Sequence, residues 1–371
     1  MSRRLGIIGD GQLGGFICVA ANRLGIQTTM LSSSAEGVAG KFADKVIRAE
    51  FSDQAAIDEL IASSDVITFE LEDVPVTTLQ RLDAQDSAQV FPRPSTMMLL
   101  QNKGLQKDWL VANGFPTAPH LRFDDGLDAQ QSLQKFGDKF IIKTQRGGYD
   151  GLGVKLVKDG DVPAEYATVP TIAEQAVDNF TEIAALVARN EAGHCVTYPL
   201  FESIFDASGN VVRRVVCPAD VSKEIATQAA ELAGEIVSRF DGVGIFAVEY
   251  FLTDTELLVN EIAPRVHNVG HLTMEASNVS QFEQHVRAVM GMEMPEVTVT
   301  PAVMDNLLYE EAIAEACHAE SGVPDVPEVT VHWYGKSKPR PLRKMGHLTA
   351  VSQSVEAAAT LANQSMDKLR T

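Results

Sequence analysis

Leu257-Leu258-Val259-Asn260-Glu261-Ile262-Ala263-Pro264-Arg265-Val266-His267-Asn268 carries an acid inside an apolar run and a polar cluster just past it. Upstream, Ala247-Val248-Glu249-Tyr250-Phe251 repeats the pattern, one acid among apolar neighbours. Two such runs around a turn near Thr255 predict a hairpin that sets Glu249 opposite Glu261 on one face. Like charges across a ladder repel, and a divalent cation between them removes the conflict. Hard carboxylate oxygens suit Mg²⁺ carrying nucleotide phosphates. The competing reading is a solvent-facing strand pair with tolerated acids. Past the second acid, Arg265 and His267 suit an anion clamp. A zinc pair from His267 and His271 is disfavoured, because Pro264 and Gly270 oppose a helix and no third soft ligand is near in sequence.

Outward from the hairpin lies a glycine loop, Lys143-Thr144-Gln145-Arg146-Gly147-Gly148-Tyr149-Asp150-Gly151-Leu152-Gly153, between the expected strands Lys139–Thr144 and Val154–Lys158. Its glycines let backbone fold closely over phosphates, and Lys143 reaches one as a point charge. It is not a Walker loop, since GKS or GKT is absent. Lys107, on an expected helix Gln101–Val111, reads by itself as an ordinary solvated lysine.

The N-terminal hundred residues alternate strand and helix: Leu5–Ile8, Gln12–Leu24, Ile26–Leu31, Lys45–Ala49, Asp53–Ile61, Asp65–Phe69. This rhythm predicts a Rossmann-like parallel sheet. Gly9-Asp10-Gly11-Gln12-Leu13-Gly14 fits either a phosphate cradle of backbone N–H groups or a tight turn. A nicotinamide dinucleotide is disfavoured, because the second strand ends in Ser32-Ser33-Ser34 without the acid that would hold a ribose. Later elements are strands Thr171–Val177, Glu182–Ala188 and Val329–Tyr334, an amphipathic helix Val221–Phe240, and a final helix Val355–Leu361. Lys336-Ser337-Lys338-Pro339-Arg340-Pro341-Leu342-Arg343-Lys344 is either a solvated basic loop or a monophosphate clamp.

The chain has 371 residues, 31 Lys and Arg against 50 Asp and Glu, and a net charge of −19. That field excludes a generic nucleic-acid or anionic-membrane binder. Four cysteines without a CxxC pair fit a reducing cytoplasm. No apolar h-region follows the N-terminus, and the charge-free run Gly11–Asn22 is too short to span a bilayer.

Taken in order, the motifs resemble the ATP-grasp family, in its branch that carboxylates 5-aminoimidazole ribonucleotide in purine biosynthesis. Those carrying it are Gly11-Gln12-Leu13-Gly14, Thr68-Phe69-Glu70, Arg146-Gly147-Gly148-Tyr149-Asp150-Gly151, Asn260 to Asn268, Ser280-Gln281-Phe282-Glu283-Gln284-His285, Trp333-Tyr334-Gly335-Lys336 and Arg343-Lys344-Met345-Gly346-His347. The resemblance implies an α/β fold in three parts: a pre-ATP-grasp domain over 1–94, an ATP-grasp domain over 95–295 with a lid near 115–180, and a small C-terminal domain over 296–371. It implies a cytoplasmic homodimeric ligase using ATP, Mg²⁺, bicarbonate and the aminoimidazole ribonucleotide through carboxyphosphate.

By the same resemblance, Lys107 and Lys143 hold phosphates under a strap containing Gly148, Gly151 and Gly153. Glu174 and Val177 meet adenine, and Glu182 the ribose. Glu249 and Glu261 bind Mg²⁺ beside Asn260. Tyr149, Asp150, Arg265 and His267 surround bicarbonate and the acceptor amine. Lys336, Arg343 and Lys344, with Gln12, Leu13 and Glu70, bind the ribonucleotide. The chain departs from the pattern at Gly15, Val154, Phe205 and Val269, at Asn102-Lys103 where Asp-Arg is usual, and at Leu342 where glycine is usual. The competing readings are a formate-using relative, opposed by the Gly-Gly-Tyr-Asp-Gly and Trp-Tyr-Gly-Lys motifs, and a nucleotide binder without turnover, opposed by Glu249, Glu261, Arg265 and His267.

Overall fold

The computed structural model describes residues 3–34, 37–148, 153–206, 211–313, 326–337 and 340–370. Its first unit is a parallel sheet of β1 (Arg4–Ile8), β2 (Gln27–Ser32), β3 (Lys45–Arg48), β4 (Val66–Phe69) and β5 (Gln89–Val90), ordered β3-β2-β1-β4-β5. Helices α1 (Gln12–Arg23), α2 (Gln54–Ala62) and α3 (Val76–Asp83) connect the strands. Leu5, Ile7 and Ile8 of β1 are fully buried, as a parallel strand covered on both faces requires. Helices α4 (Pro94–Leu100) and α5 (Lys103–Ala112) lead out of this unit. Asn102 caps α5 by accepting from the Leu105 N–H.

A four-stranded antiparallel sheet follows, made of β6 (His120–Phe123), β7 (Phe140–Thr144), β8 (Val154–Val157) and β9 (Thr171–Gln175), ordered β6-β9-β7-β8. Helix α6 (Ala129–Phe136) covers Phe140 and its neighbours. The β7–β8 connection is the glycine loop. Gly147 and Gly153 both take positive φ, and a Cβ at Gly153 would lie 2.4 Å from the Thr144 hydroxyl, so that end of the loop requires glycine.

The third sheet has nine strands. It contains β10 (Thr181–Arg189), β11 (Cys195–Thr197), β12 (Phe201–Phe205), β13 (Val212–Cys217), β14 (Gly244–Leu252), β15 (Leu257–Ala263), β16 (Ala302–Leu308), β17 (Val329–Trp333) and β18 (Lys344–Val351). The order is β15-β14-β10-β12-β13-β16-β18-β17, with β11 on β10. Helix α7 (Lys223–Arg239) packs Ala229, Ala233, Ile236 and Val237 on one face of it, and α9 (Gln281–Val289) packs Phe282 and Val286 on the other, beside the short α8 (Thr273–Ala276). Helix α10 (Val355–Arg370) covers β16 and β18 and runs well past the expected end at Leu361.

The C-terminal strands thus extend the central sheet and form no sheet of their own, because β13 and β16 pair in register from Arg214–Asp305 to Cys217–Ala302. The Arg214 guanidinium seals that seam with two hydrogen bonds to the Asp305 carboxylate, at 2.6 and 2.7 Å. The first unit is joined to the centre through α1 and α9, where the Phe16 and Phe282 rings lie 5.1 Å apart. No helix among the described residues is long and apolar enough to cross a membrane.

Candidate active site

The β14–β15 hairpin has the register expected from sequence, with Glu249 opposite Glu261. Tyr250 then faces Val259, so Asn260 is an extra residue in a β-bulge. In a regular strand Asn260 and Glu261 would point to opposite faces. The bulge lets both line one cleft, together with Lys103, Gln106, Lys107, Lys143, Ile172 and Glu174.

Glu174 lies in the middle of the four-stranded sheet, opposite both His120 and Ile141. Its carboxylate pairs with Lys107 Nζ at 3.3 Å and Lys143 Nζ at 2.7 Å. Burial opposes its charge, but the two ammonium groups hold its carboxyl down to about 2. Burial pushes Lys107 down to about 8 against the pull of Glu174. Lys107 also donates to Thr117 Oγ1 and the Val259 carbonyl, and Lys143 donates to Asn260 Oδ1 at 3.0 Å. One expectation changes here. Lys107 is buried and not a solvated lysine, and the buried Glu174 carboxylate is its partner.

The two hairpin acids differ electrostatically. Burial and then the charge of Glu261 push Glu249 up to about 7. Glu261 is held below the usual carboxylate range despite burial, because the Lys103 ammonium is hydrogen-bonded to it. Glu182, on β10 beside β14, is pushed well up by burial and by Glu249. His267 Nε2 lies 3.5 Å from Glu249 Oε1, and Arg265 Nε lies 3.0 Å from Glu72 Oε1. Val177 follows β9 and is half-buried.

Gln281 fixes His267 through its backbone, accepting from its N–H at 2.9 Å and donating to its carbonyl at 2.6 Å. His285 accepts from the Ile245 N–H at Nδ1, so its Nε2–H donates to Thr68 Oγ1 at 2.8 Å, which ties the first unit to β14. The run Ser280 to His285 is therefore scaffolding for the polar cluster.

The donors of the N-terminal glycine loop are met from within the chain. Gly11 N–H and Gly14 N–H donate to the Glu70 carboxylate at 2.8 and 3.0 Å. The protein's own acid takes these donors at the α1 N-terminus, where the helix dipole favours an anion. Glu70 is thus turned into the loop as its internal partner, beside Gln12 and the buried Leu13. The C-terminal basic run supplies Lys336, whose Nζ donates to the Lys344 carbonyl at 2.9 Å and lies 4.9 Å above the Tyr334 ring. Lys344 is buried at the start of β18, close enough that its charge draws Glu249 down. Leu342 takes φ +60, which gives the usual glycine a backbone reason. Gly148 and Gly153 lie in the glycine loop on either side of residues 149–152; Tyr149, Asp150 and Gly151 lie outside the described residues.

Sequence reading missed Lys103, Glu72 and Gln106 as site residues. Gln106 accepts from the Ile262 N–H and donates to its carbonyl, which holds the end of β15. Only their contacts across the chain reveal them, although Lys103 had stood out as a departure.

Three domain families match along the chain: the ribonucleotide synthetase pre-ATP-grasp domain over residues 1–101, the ATP-grasp domain over 108–282, and the phosphoribosylaminoimidazole carboxylase C-terminal domain over 302–360. An N5-carboxyaminoimidazole ribonucleotide synthase of Brucella melitensis is 35% identical, with 94% of this chain and 96% of that protein covered. The chain belongs to the N5-carboxyaminoimidazole ribonucleotide synthase family of ATP-grasp ligases. A phosphoribosylaminoimidazole carboxylase of Ogataea methanolica is 37% identical over 95% of this chain but 67% of its own length, so the chain spans about two thirds of that longer relative. The Aspergillus clavatus N5-carboxyaminoimidazole synthase, solved with ADP and 5-aminoimidazole ribonucleotide, superposes with a TM-score of 0.89 at 30% identity, covering 99% of this chain and 98% of that one.

Proposed function

We propose that the chain uses ATP to carboxylate 5-aminoimidazole ribonucleotide with bicarbonate, giving N5-carboxyaminoimidazole ribonucleotide, ADP and phosphate in purine biosynthesis. The observation that carries this reading is the cleft lined by Glu261, Asn260 and the buried lysines 107 and 143, with Glu249 opposite Glu261 on the hairpin and the charge of Lys344 felt at Glu249. One end of that set suits a triphosphate and the other a monophosphate.

Mg²⁺ fits the hairpin acids, since they are hard oxygen donors and the repulsion that raises Glu249 falls when a dication sits between them. Bound there with Asn260 alongside, the ion supplies charge neutralisation for the nucleotide phosphates. Lys107 and Lys143 hold those phosphates, with the transferred group facing the hairpin. The strap from Gly148 through Gly151 to Gly153 closes over them and excludes water, which a carboxyphosphate needs because it hydrolyses readily. Val177 and Glu182 border the adenosine, while Glu174 keeps the two lysines in place from behind.

Arg265 and His267, with Tyr149 and Asp150 from the strap, orient bicarbonate and the acceptor amine. His267 faces Glu249 and can hold a proton at Nε2. Lys336, Arg343 and Lys344, with the Gln12-Leu13 turn, bind the ribonucleotide phosphate, and Glu70 acts through that turn. The protein works as a cytoplasmic homodimer. ADP release with Mg-ATP and bicarbonate, with and without 5-aminoimidazole ribonucleotide, tests the proposal. Stimulation by the ribonucleotide that also requires bicarbonate is expected. Turnover indifferent to the ribonucleotide would move the acceptor to another molecule.

A further inference from the structure

We infer that Glu275, His332 and His347 form a second metal site, suited to a borderline divalent cation of the Zn²⁺ class and separate from the Glu249–Glu261 pair. His332 and His347 are directly opposite each other on β17 and β18, with rings stacked 4.7 Å apart. Glu275 reaches them from α8, and its Oε1 lies 2.7 Å from His332 Nε2. One ligand atom from each residue lies within 4.8 Å of the others. A zinc ion with ligands at about 2.0–2.2 Å needs them roughly 3.4 Å apart, so the Glu275–His332 pair opens slightly and any wider separation, up to 4.8 Å, closes by about 1.4 Å at most.

The buried atoms point to a ligand. His347 is fully buried, and its Nε2 has no hydrogen-bond partner. Its Nδ1 lies 2.8 Å from the Tyr334 hydroxyl, the outer-shell arrangement that orients a metal-bound imidazole. Glu275 Oε2 is likewise buried without a partner. His271 precedes Glu275 by four residues and is fully buried. Its ring lies 4.8 Å from that of His347, and neither of its nitrogens has a partner. Leaving such atoms unsatisfied costs about 1–3 kcal/mol each. Two imidazoles and one carboxylate are a recurrent zinc donor set, and imidazole selects for borderline metals over Mg²⁺. Zinc was disfavoured in sequence for want of a third soft ligand near His271. The sheet supplies the missing histidines from more than fifty residues downstream, at 332 and 347.

The test is Co²⁺ titrated into the full-length, metal-stripped protein and read by visible absorbance and by bound metal per chain. One Co²⁺ per chain is expected to give the intense bands of low coordination, and any second ion on the hairpin carboxylates should absorb only weakly. Glu275→Gln and His332→Asn should weaken binding by about tenfold or more, on the scale of lost metal-site contacts. Glu261→Gln, at the hairpin, should leave the spectrum unchanged. Absence of Co²⁺ binding by the folded wild type would overturn the inference. So would binding that survives Glu275→Gln, or binding that disappears with Glu261→Gln. Circular dichroism of each variant separates lost ligation from lost folding.

Discussion

Replacing Glu174 by Gln tests the electrostatic logic of the nucleotide cleft. Its carboxyl is held at about 2 against an ordinary 4.5, which corresponds to about 3 kcal/mol in favour of the folded state at neutral pH. A depressed acid contributes fully above its unfolded value and loses the contribution as pH falls from 4.5 towards 2. Lys107 gives the opposite sign. Its pKa of about 8, against 10.5, corresponds to a cost of about 3 kcal/mol at neutral pH, which fades as pH rises from 8 to 10.5. The two figures contain the same attraction and are not summed; a buried ion pair of this kind is often about as stable as apolar residues of the same size. Breaking it is different. Glu174→Gln removes the pull that keeps Lys107 protonated, so the buried amine either carries an uncompensated charge or gives up its proton, and the expected loss is about 3–5 kcal/mol. The double variant Glu174→Leu with Lys107→Met should recover most of that loss. Urea unfolding at pH 7 followed by circular dichroism measures both. Mg-ATP should also raise the Glu174→Gln midpoint more than the wild-type midpoint, because phosphates replace the missing carboxylate between the lysines. A Glu174→Gln loss below about 1 kcal/mol, or a double variant as unstable as the single one, would refute the reasoning.

Other expectations follow from neighbouring groups. Glu261→Gln should fold normally and lose ATP turnover; near-normal ADP release by the folded variant would remove the metal assignment. Lys103→Met frees Glu261 from its ammonium partner, so Mn²⁺ followed by electron paramagnetic resonance without nucleotide should bind more tightly, and unchanged affinity would count against competition by Lys103. Glu249 is raised to about 7, so protons compete with metal below that pH. Metal affinity measured calorimetrically should therefore climb between pH 6 and pH 8, and the climb should flatten in Glu249→Gln. Lys336→Ala should weaken ribonucleotide binding more than ATP binding in equilibrium titrations, and equal losses would speak against a phosphate clamp.

Four strands of the N-terminal sheet were legible because they and helices α1 and α2 are local in sequence and follow one rhythm of apolar runs; α3 and the two-residue β5 were missed. The facing of Glu249 and Glu261 was legible too, from two apolar runs around a short turn, although nearer the turn the register is one residue off the pairing centred on Thr255. The bulge at Asn260 was not, because it depends on contacts with Lys143 and α5 across the cleft. Strands β6, β11, β12, β13, β16 and β18 were missed; β13 and β16 meet across some ninety residues, Arg214 opposite Asp305, and no local pattern announces such a pairing. In the site, Glu249, Glu261 and Lys143 stood out as charges inside apolar runs. Lys103 opens α5 and Glu72 lies in the connection between β4 and α3, and both acquire partners only in three dimensions. The role of Glu70 as partner of the α1 N-terminus was hidden for the same reason, since its donors lie some sixty residues earlier, at Gly11 and Gly14.

The seam between β13 and β16 also bears on how the protein is made. During synthesis β13 emerges long before β16, and until Ala302–Leu308 follows it the sheet carries an open edge of backbone donors and acceptors. An open edge of this kind is a template for pairing with another chain. The nascent protein is therefore most exposed to aggregation after α7 and the hairpin have formed and before the last seventy residues arrive. Truncation ahead of β16 would leave that window permanently open, so a shortened chain should fail by self-association even though its nucleotide cleft is already encoded.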